Sequence, residues 1–279
     1  MSLIDVAILS IVQGVTEFLP ISSSGHLVLT QTFLRLKEVP ILFDLVLHLG
    51  TACATVLVFY RLIGEILRDI LLWLTGKGER KEISRKGTVR LAVYIVISTA
   101  VTGVLGLLFR DTIKEFFYRP LAVSLFLFLT GIVLFITRFV QDRGKQISEM
   151  GFHAPLIIGC AQTFAMLPGI SRSGTTISAG LYLGMERSLS GSYSFLLSIP
   201  SILGASLVEF IQANGGMQSI SGGQNPLLLT ISGFSLSLLT GYGALRLLLS
   251  FLGRGKLYIF SYYCFTAAIT IGFLLLAYS

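Results

Sequence analysis

The sequence predicts an all-α integral membrane protein: six transmembrane helices plus two re-entrant helical hairpins in an inverted-topology repeat, forming one membrane domain over residues 1–279. Three observations carry this. Hydrophobic residues make up 53% of the chain and charged ones 13%, against a charged share of about a quarter in soluble domains. Six apolar stretches can cross a hydrocarbon core of about 30 Å, which takes roughly 17 to 25 helical residues. A polar motif occurs twice inside apolar sequence, as Leu19-Pro-Ile-Ser-Ser-Ser-Gly-His26 and as Leu167-Pro-Gly-Ile-Ser-Arg-Ser-Gly-Thr175.

In chain order, residues 3–19 are apolar and stop at Leu19-Pro20, and the apolar piece after the motif, 27–34, is short. This pattern predicts a helical hairpin that enters the membrane and turns back. Spans follow near residues 41–60, 91–109 and 120–137. Residues 154–167 and 177–185 repeat the hairpin pattern, and spans near 188–208, 227–245 and 257–279 complete the second half. The halves are thus about 1–140 and 150–279. Three crossings per half turn the second half over, so the two tips enter from opposite faces and meet near the midplane. Irregular backbone at that depth needs protein or a wet cavity around it.

The net charge of +7 is uneven. Eight Lys or Arg residues lie from Arg61 to Arg90, densest over Lys77–Lys86. In an apolar chain such a run is a juxtamembrane loop on the cytoplasmic side, rather than a nucleic-acid site. Arg138, Arg143, Lys145, Arg187, Arg246, Arg254 and Lys256 then fall on the same side. The opposite connections are poorer: Arg110, Lys114 and Arg119 are offset by Asp111 and Glu115, and no Lys or Arg occurs between residues 211 and 226. Glu186-Arg187 reads as an interfacial helix boundary, and Glu209 closes a span. No cleavable signal peptide is expected, since a basic n-region is missing and Asp5 comes early. Cys53, Cys160 and Cys264 have no paired spacing and are expected as small core residues, with neither a disulfide framework nor a zinc site.

The motifs carry the chemistry. Gln13 and Glu17 are four apart and share one helix face. After Pro20, Ser22-Ser23-Ser24-Gly25 offers hydroxyls and backbone N–H groups at a helix start, a ready anion site. Allowing one extra residue, Gly169, Ser22 aligns with Ser171, Ser23 with Arg172, Gly25 with Gly174, and His26 with Thr175. Glu17 and His26 occur only in the first copy and Arg172 only in the second. Meeting tips would join a carboxylate, a hydroxyl, an imidazole and a guanidinium that can fork phosphate oxygens. Ser173, Gly174, Thr175 and Thr176 add donors at the second helix start. The competing reading of Glu17 and Arg172 is a purely structural ion pair. Asp44 and His48, also four apart, read either as a metal ligand with its supporting shell or as a helix-start aspartate with a packed histidine.

Gln13-Gly-Val-Thr-Glu-Phe-Leu-Pro-Ile-Ser-Ser-Ser-Gly-His26 and Pro168-Gly-Ile-Ser-Arg-Ser-Gly-Thr-Thr176 closely resemble the two signatures of the undecaprenyl-diphosphate phosphatase family, the bacterial bacitracin-resistance membrane phosphatases. The resemblance extends to Phe43–Thr51 and Ser194–Gly204, and so covers nearly the whole chain. It implies an interlocked inverted-repeat fold, dimers, and a cytoplasmic (inner) membrane location with the site open to the outer side. The implied reaction is hydrolysis of undecaprenyl diphosphate to the monophosphate and inorganic phosphate, recycling the lipid carrier for peptidoglycan, with a divalent cation. The first motif position, acidic in some members, is Gln13 here, which leaves Glu17 without a second carboxylate at that pair.

The chemistry fits the residues. Cleaving a diphosphate needs charge neutralisation and a positioned nucleophile. Arg172, the helix starts and a Mg2+ or Ca2+ ion supply the first, with Glu17 and Asp44 as candidate ligands. Ser23 is the expected nucleophile, His26 its acid or base, and Glu17 either orients His26 or holds the metal; direct attack by water activated at Glu17 is the alternative. Gln13, Ser22, Ser24, Gly25, Ser171, Ser173, Gly174, Thr175 and Thr176 are the expected substrate contacts. A phosphatase of the vanadium-haloperoxidase type would need a histidine where this chain has Ser178. A transporter or flippase of polyprenyl phosphates is the alternative function, because inverted repeats with broken helices suit alternating access.

Overall fold

The computed structural model describes residues 1–36, 39, 41–76, 87–117, 119–212 and 225–277, and among them the regular structure is helical. Helix α1 (Leu3–Phe18) opens on a capping box in which Asp5 N–H donates to Ser2 Oγ at 3.1 Å and Ser2 N–H to Asp5 Oδ2 at 2.7 Å, satisfying two otherwise orphaned helix-start donors. Pro20 ends it, and α2 (Ser23–Phe33) returns. Helix α3 (Ile41–Thr75), α4 (Thr88–Leu108), a short exposed α5 (Arg110–Phe117) and α6 (Pro120–Ile136) follow. The pattern then repeats as α7 (His153–Phe164), α8 (Arg172–Tyr182), α9 (Arg187–Gln212), α10 (Pro226–Gly253) and α11 (Ile259–Ala277).

Six helices, α3, α4, α6, α9, α10 and α11, are long and apolar enough to cross a membrane. Their outer faces carry exposed Leu57, Val96, Val104, Leu125, Leu239 and Phe273 among many others, an exterior that water would not tolerate and lipid requires. The protein is multi-pass. One boundary departs widely from expectation: α3 does not end near Tyr60 but bends at Phe59 (φ −103°, ψ 17°) and continues to Thr75. Arg61, Glu65, Arg68 and Asp69 therefore lie on a helix, and buried Asp69 accepts a 2.7 Å hydrogen bond from the Thr88 hydroxyl at the start of α4. The basic run Lys77–Lys86 and the side chain of Glu209 lie outside the described residues. Arg187 opens α9, as its boundary reading anticipated.

The packing exchanges elements between distant parts of the chain. Helix α1 lies along α10, and α7 along α4. Close approach depends on glycine: a Cβ on Gly14 would stand 2.8 Å from the Ser237 carbonyl oxygen, and one on Gly159 2.9 Å from that of Ser98. Backbone cannot yield as a side-chain tip can, so these contacts admit no side chain. Small hydroxyls tie the helices, Ser237 Oγ to Leu47 O at 2.6 Å, Ser98 Oγ to Pro155 O at 2.7 Å, and Ser124 Oγ to Ala268 O at 2.7 Å. Such bonds are worth about 0.6 kcal/mol each in membranes. The main core runs through Phe18, Tyr193, Phe195, Leu197 and Leu248. Of the cysteines only Cys264 is buried; Cys53 and Cys160 are exposed, and all three are free. The core expectation fails for those two because lipid imposes no penalty on an apolar residue facing outward.

One end of the bundle gathers cations. Arg90 donates to Ser148 O and Met150 O at 2.6 Å each, Arg187 pairs with Asp142 at 3.4 Å, and Arg138 lies over the Tyr258 ring. The connection from α6 to α7 is pinned there by a parallel bridge between Lys145 and Met185.

Candidate active site

Each hairpin turn ends in a serine-capped helix, and the two caps occupy the positions that the motif alignment pairs. Ser22 Oγ accepts from Gly25 N–H at 3.4 Å, and Ser171 Oγ from Gly174 N–H at 3.1 Å. These two hydroxyls are spent largely on their own helix starts. The extra residue in the second copy has a conformational cause. Gly169 takes φ +101° and lets Ser171 stay extended at φ −77°, whereas the first copy has no glycine there and Ser22 itself is forced to φ 71°. A non-glycine residue in such a conformation carries roughly 1–3 kcal/mol of strain. The turns are enclosed by protein: Ile21, Ser22, Ile170 and Ser171 are buried. Thr130 of α6 secures the second turn, donating to Gly169 O at 3.0 Å and accepting from Ser171 N–H at 3.1 Å.

The two tips meet. Arg172 Nη2 donates to Glu17 Oε1 at 2.6 Å, with side-chain exposures of 18% and 7%. The other carboxylate oxygen, Oε2, accepts from Ser23 Oγ at 2.7 Å and from Gln13 Nε2 at 3.1 Å. Glu17 is thus held by three donors from three stretches of chain, one of them a hydroxyl. Removing one partner of such a buried pair costs about 3–5 kcal/mol, because the other charge is left stranded.

Among the described residues, Arg172 Nη1, Gln13 Oε1 and Thr175 Oγ1 are buried and have no hydrogen-bond partner. An unfilled buried polar atom costs about 1–3 kcal/mol. These three lie in residues of the paired motifs, a guanidinium N–H and a hydroxyl suited to an anion and an amide oxygen suited to a cation, while Gln162 Oε1, Ser178 Oγ and Ser190 Oγ are unfilled elsewhere in the bundle.

The remaining expected residues divide. Ser24 Oγ lies 3.4 Å from Ser22 Oγ, and Ser173 Oγ 3.3 Å from Ser171 Oγ. Gly25 and Gly174 sit in the two helix starts, where a Cβ on Gly174 would press on Pro20 at 3.1 Å. Thr176 faces away from the pair, donating to Arg172 O at 2.8 Å and meeting Ser194 Oγ at 2.6 Å; it fixes α8 to α9. His26 is not paired with Ser23 or oriented by Glu17. Its Nδ1 lies 2.8 Å from Ser22 O and its Nε2 2.6 Å from the Tyr263 hydroxyl, so both ring nitrogens are taken, and the serine goes to the carboxylate. Asp44 and His48 stand on one face of α3, with His48 Nδ1 2.8 Å from Asp44 O.

Among the described residues no three His, Cys, Asp or Glu side chains come together as a cation cage. One carboxylate with the oxygens of a bound phosphate is a pattern usual for Mg2+, and a side-chain amide oxygen is a usual ligand of Ca2+. Gln13 Oε1 and Glu17 fit that donor set.

Thr130, Ser194 and Tyr263 were not anticipated as site residues. Ser194 lies in the Ser194–Gly204 stretch that the family resemblance covers; Thr130 and Tyr263 give no local sign, being a hydroxyl and an aromatic inside apolar spans.

The family model for Bacitracin resistance protein BacA matches residues 6–270. The chain is 38% identical over 276 residues to the undecaprenyl-diphosphatase of Desulforapulum autotrophicum, covering 96% of this chain and 97% of that one. It is 39% identical over 272 residues to that of Halothermothrix orenii, with 97% of each covered, and 38% identical over 263 residues to that of Treponema denticola, with 94% of each covered. The match over nearly the full length leads to one conclusion: the chain belongs to the Bacitracin resistance protein BacA family.

Proposed function

We propose that this chain is a membrane-embedded phosphatase that converts undecaprenyl diphosphate to undecaprenyl phosphate and inorganic phosphate, recycling the lipid carrier for peptidoglycan synthesis. One observation carries the reading: Glu17 takes the Ser23 hydroxyl on one oxygen and Arg172 on the other, while Arg172 Nη1 is left unfilled. A nucleophile on its base, beside an open guanidinium N–H, is what phosphoryl transfer asks of a protein.

Ser23 Oγ attacks the terminal phosphorus as the bond to the bridging oxygen breaks, that oxygen keeping its electron pair on undecaprenyl phosphate. The Ser23 proton passes to Glu17 Oε2. Arg172 Nη1 and Thr175 Oγ1 bind the phosphoryl oxygens. Water then attacks the phosphoserine, the Oγ–P bond breaks, Glu17 returns its proton to Oγ, and the proton of the water goes to His26 before release to solvent. Glu17 and Gln13 Oε1 would hold a divalent cation, which would supply neutralisation of the diphosphate charge.

The two hairpins are re-entrant in this reading, and residues 1–140 and 150–279 form inverted halves. The buried turns, the short return helices and the exchanged packing of α1 on α10 and α7 on α4 support it. The membrane is the cytoplasmic one, with the cation-rich end of the bundle inside and the site open to the outer side. The names of the relatives favour hydrolysis over transport of polyprenyl phosphates. Purified protein in detergent should release phosphate from polyprenyl diphosphate, and Glu17→Gln and Arg172→Ala should not. Binding without turnover by the wild type would sink the proposal.

A further inference from the structure

We infer that Tyr263 is a further catalytic residue, occupying the Nε2 side of His26 and relaying a proton to it; this rests on the hydrolase reading above. His26 Nδ1 lies 2.8 Å from the backbone oxygen of Ser22. A carbonyl oxygen can only accept, so Nδ1 carries the hydrogen and the neutral ring presents a lone pair at Nε2. The Tyr263 hydroxyl, 2.6 Å from Nε2, donates to that lone pair. The rings are stacked, with centroids 5.6 Å apart and planes 21° apart, so the aim of the imidazole is set as well as its protonation.

Tyr263 comes from α11, 237 residues along the chain, yet it is docked at the first hairpin turn. Its neighbour Cys264 is buried there, with Sγ 3.6 Å from Pro20 O. His26 stands one turn into α2, on the face it shares with Ser23 at the i, i+3 spacing.

With the lone pair of Nε2 occupied by the Tyr263 O–H, a proton reaches His26 by way of that hydroxyl. As the attacking water forms its bond to the phosphorus of phosphoserine, its proton moves to the Tyr263 oxygen and the phenolic proton moves to Nε2. The tyrosine ends neutral, the imidazole cationic, and the Tyr263 oxygen now accepts from Nε2–H. Reversal returns the proton through the same hydroxyl to water in the site. A hydroxyl serves both states because it donates and accepts; a phenyl ring keeps the stack and does neither.

The test is a double-mutant cycle in the purified full-length protein, with phosphate release from polyprenyl diphosphate as readout. Tyr263→Phe should lower kcat by about 10–100-fold, within the usual range for a lost acid–base group, with KM changed less than about twofold. In the His26→Ala background Tyr263→Phe should add nothing, since the two act as one unit. Equal losses in both backgrounds, or an unchanged kcat in Tyr263→Phe, would overturn the inference. Nitrogen NMR of the His26 ring supplies a readout independent of turnover. The wild type should show the Nδ1–H form with its Nε2 resonance displaced by the accepted hydrogen bond, and Tyr263→Phe the same tautomer without that displacement; an unchanged spectrum defeats the inference. Absence of phosphate release by the wild type would defeat the hydrolase reading and the relay with it, leaving the NMR result to decide the hydrogen bond.

Discussion

Arg172 reaches Glu17 at 2.6 Å across 155 residues of sequence, and it does so with only one of its two terminal nitrogens. That division lets a single guanidinium hold the base through Nη2 and leave Nη1 for the substrate.

Arg172→Lys should therefore fail although it keeps the charge. An ammonium is a point charge and cannot bridge carboxylate and phosphate in the plane of a fork. Expected is a fall in kcat/KM of about 100-fold or more, the order seen when a preorganised donor is lost. Steady-state assays of Arg172→Lys beside Arg172→Ala check it, and wild-type activity in the lysine variant would refute the bridging role.

Ser23→Ala and Ser22→Ala should behave differently. Without Ser23 no phosphoserine forms, and kcat should drop by about 100-fold or more. Without Ser22 a cap is lost, at about 1 kcal/mol of stability, with turnover largely kept. Rapid acid quenching followed by peptide mass spectrometry should find phosphate on Ser23 in the wild type; full activity of Ser23→Ala would favour direct attack by water.

The two cap serines should also differ in how they tolerate glycine. At Ser22, φ 71° is strained, so Ser22→Gly gains relief that offsets most of the lost cap. At Ser171, φ −77° is ordinary, and Ser171→Gly gains nothing. The expected ranking is a melting temperature for Ser22→Gly at or above that of Ser171→Gly; the reverse order would contradict the account of the inserted Gly169.

Chelation should abolish phosphate release, and Mg2+ or Ca2+ should restore it. Gln13→Leu removes the proposed amide ligand while leaving Glu17 in place, and should raise the cation concentration needed for half activity by about tenfold or more. An unchanged cation requirement would remove Gln13 from that role.

Thr130→Val should loosen the second tip by removing its bonds to Gly169 and Ser171. A loss of about tenfold in kcat is expected, since small displacements of positioned groups are costly, with the protein still folded by circular dichroism. An unchanged kcat would mean that the turn holds its shape without α6.

The hydropathy of the chain made the six spans readable, because in lipid an apolar surface and an apolar core look alike and both stand out from polar connections. The same equivalence hid Cys53 and Cys160, whose apolar surroundings gave no hint that they face outward. The extension of α3 was missed because Arg61, Glu65, Arg68 and Asp69 break the apolar run, although charge does not end a helix. At the site, Glu17 and Arg172 could be brought together from the repeat alone, since Glu17 closes α1 and Arg172 opens α8 at equivalent turns. The partner of His26 could not be found that way. Tyr263 lies far along the chain inside an apolar helix, where only three-dimensional packing assigns it a neighbour.

Docking α1 on α10 has a consequence for how the molecule is made. A ribosome finishes α1 after residue 18 and does not begin α10 until residue 226. For most of synthesis, the helix bearing Gln13 and Glu17 is without the surface on which Gly14 will close. The carboxylate likewise waits for Arg172. No truncated product can carry a working centre, and a chain cut between the hairpins should regain function only when both pieces are inserted into the same membrane.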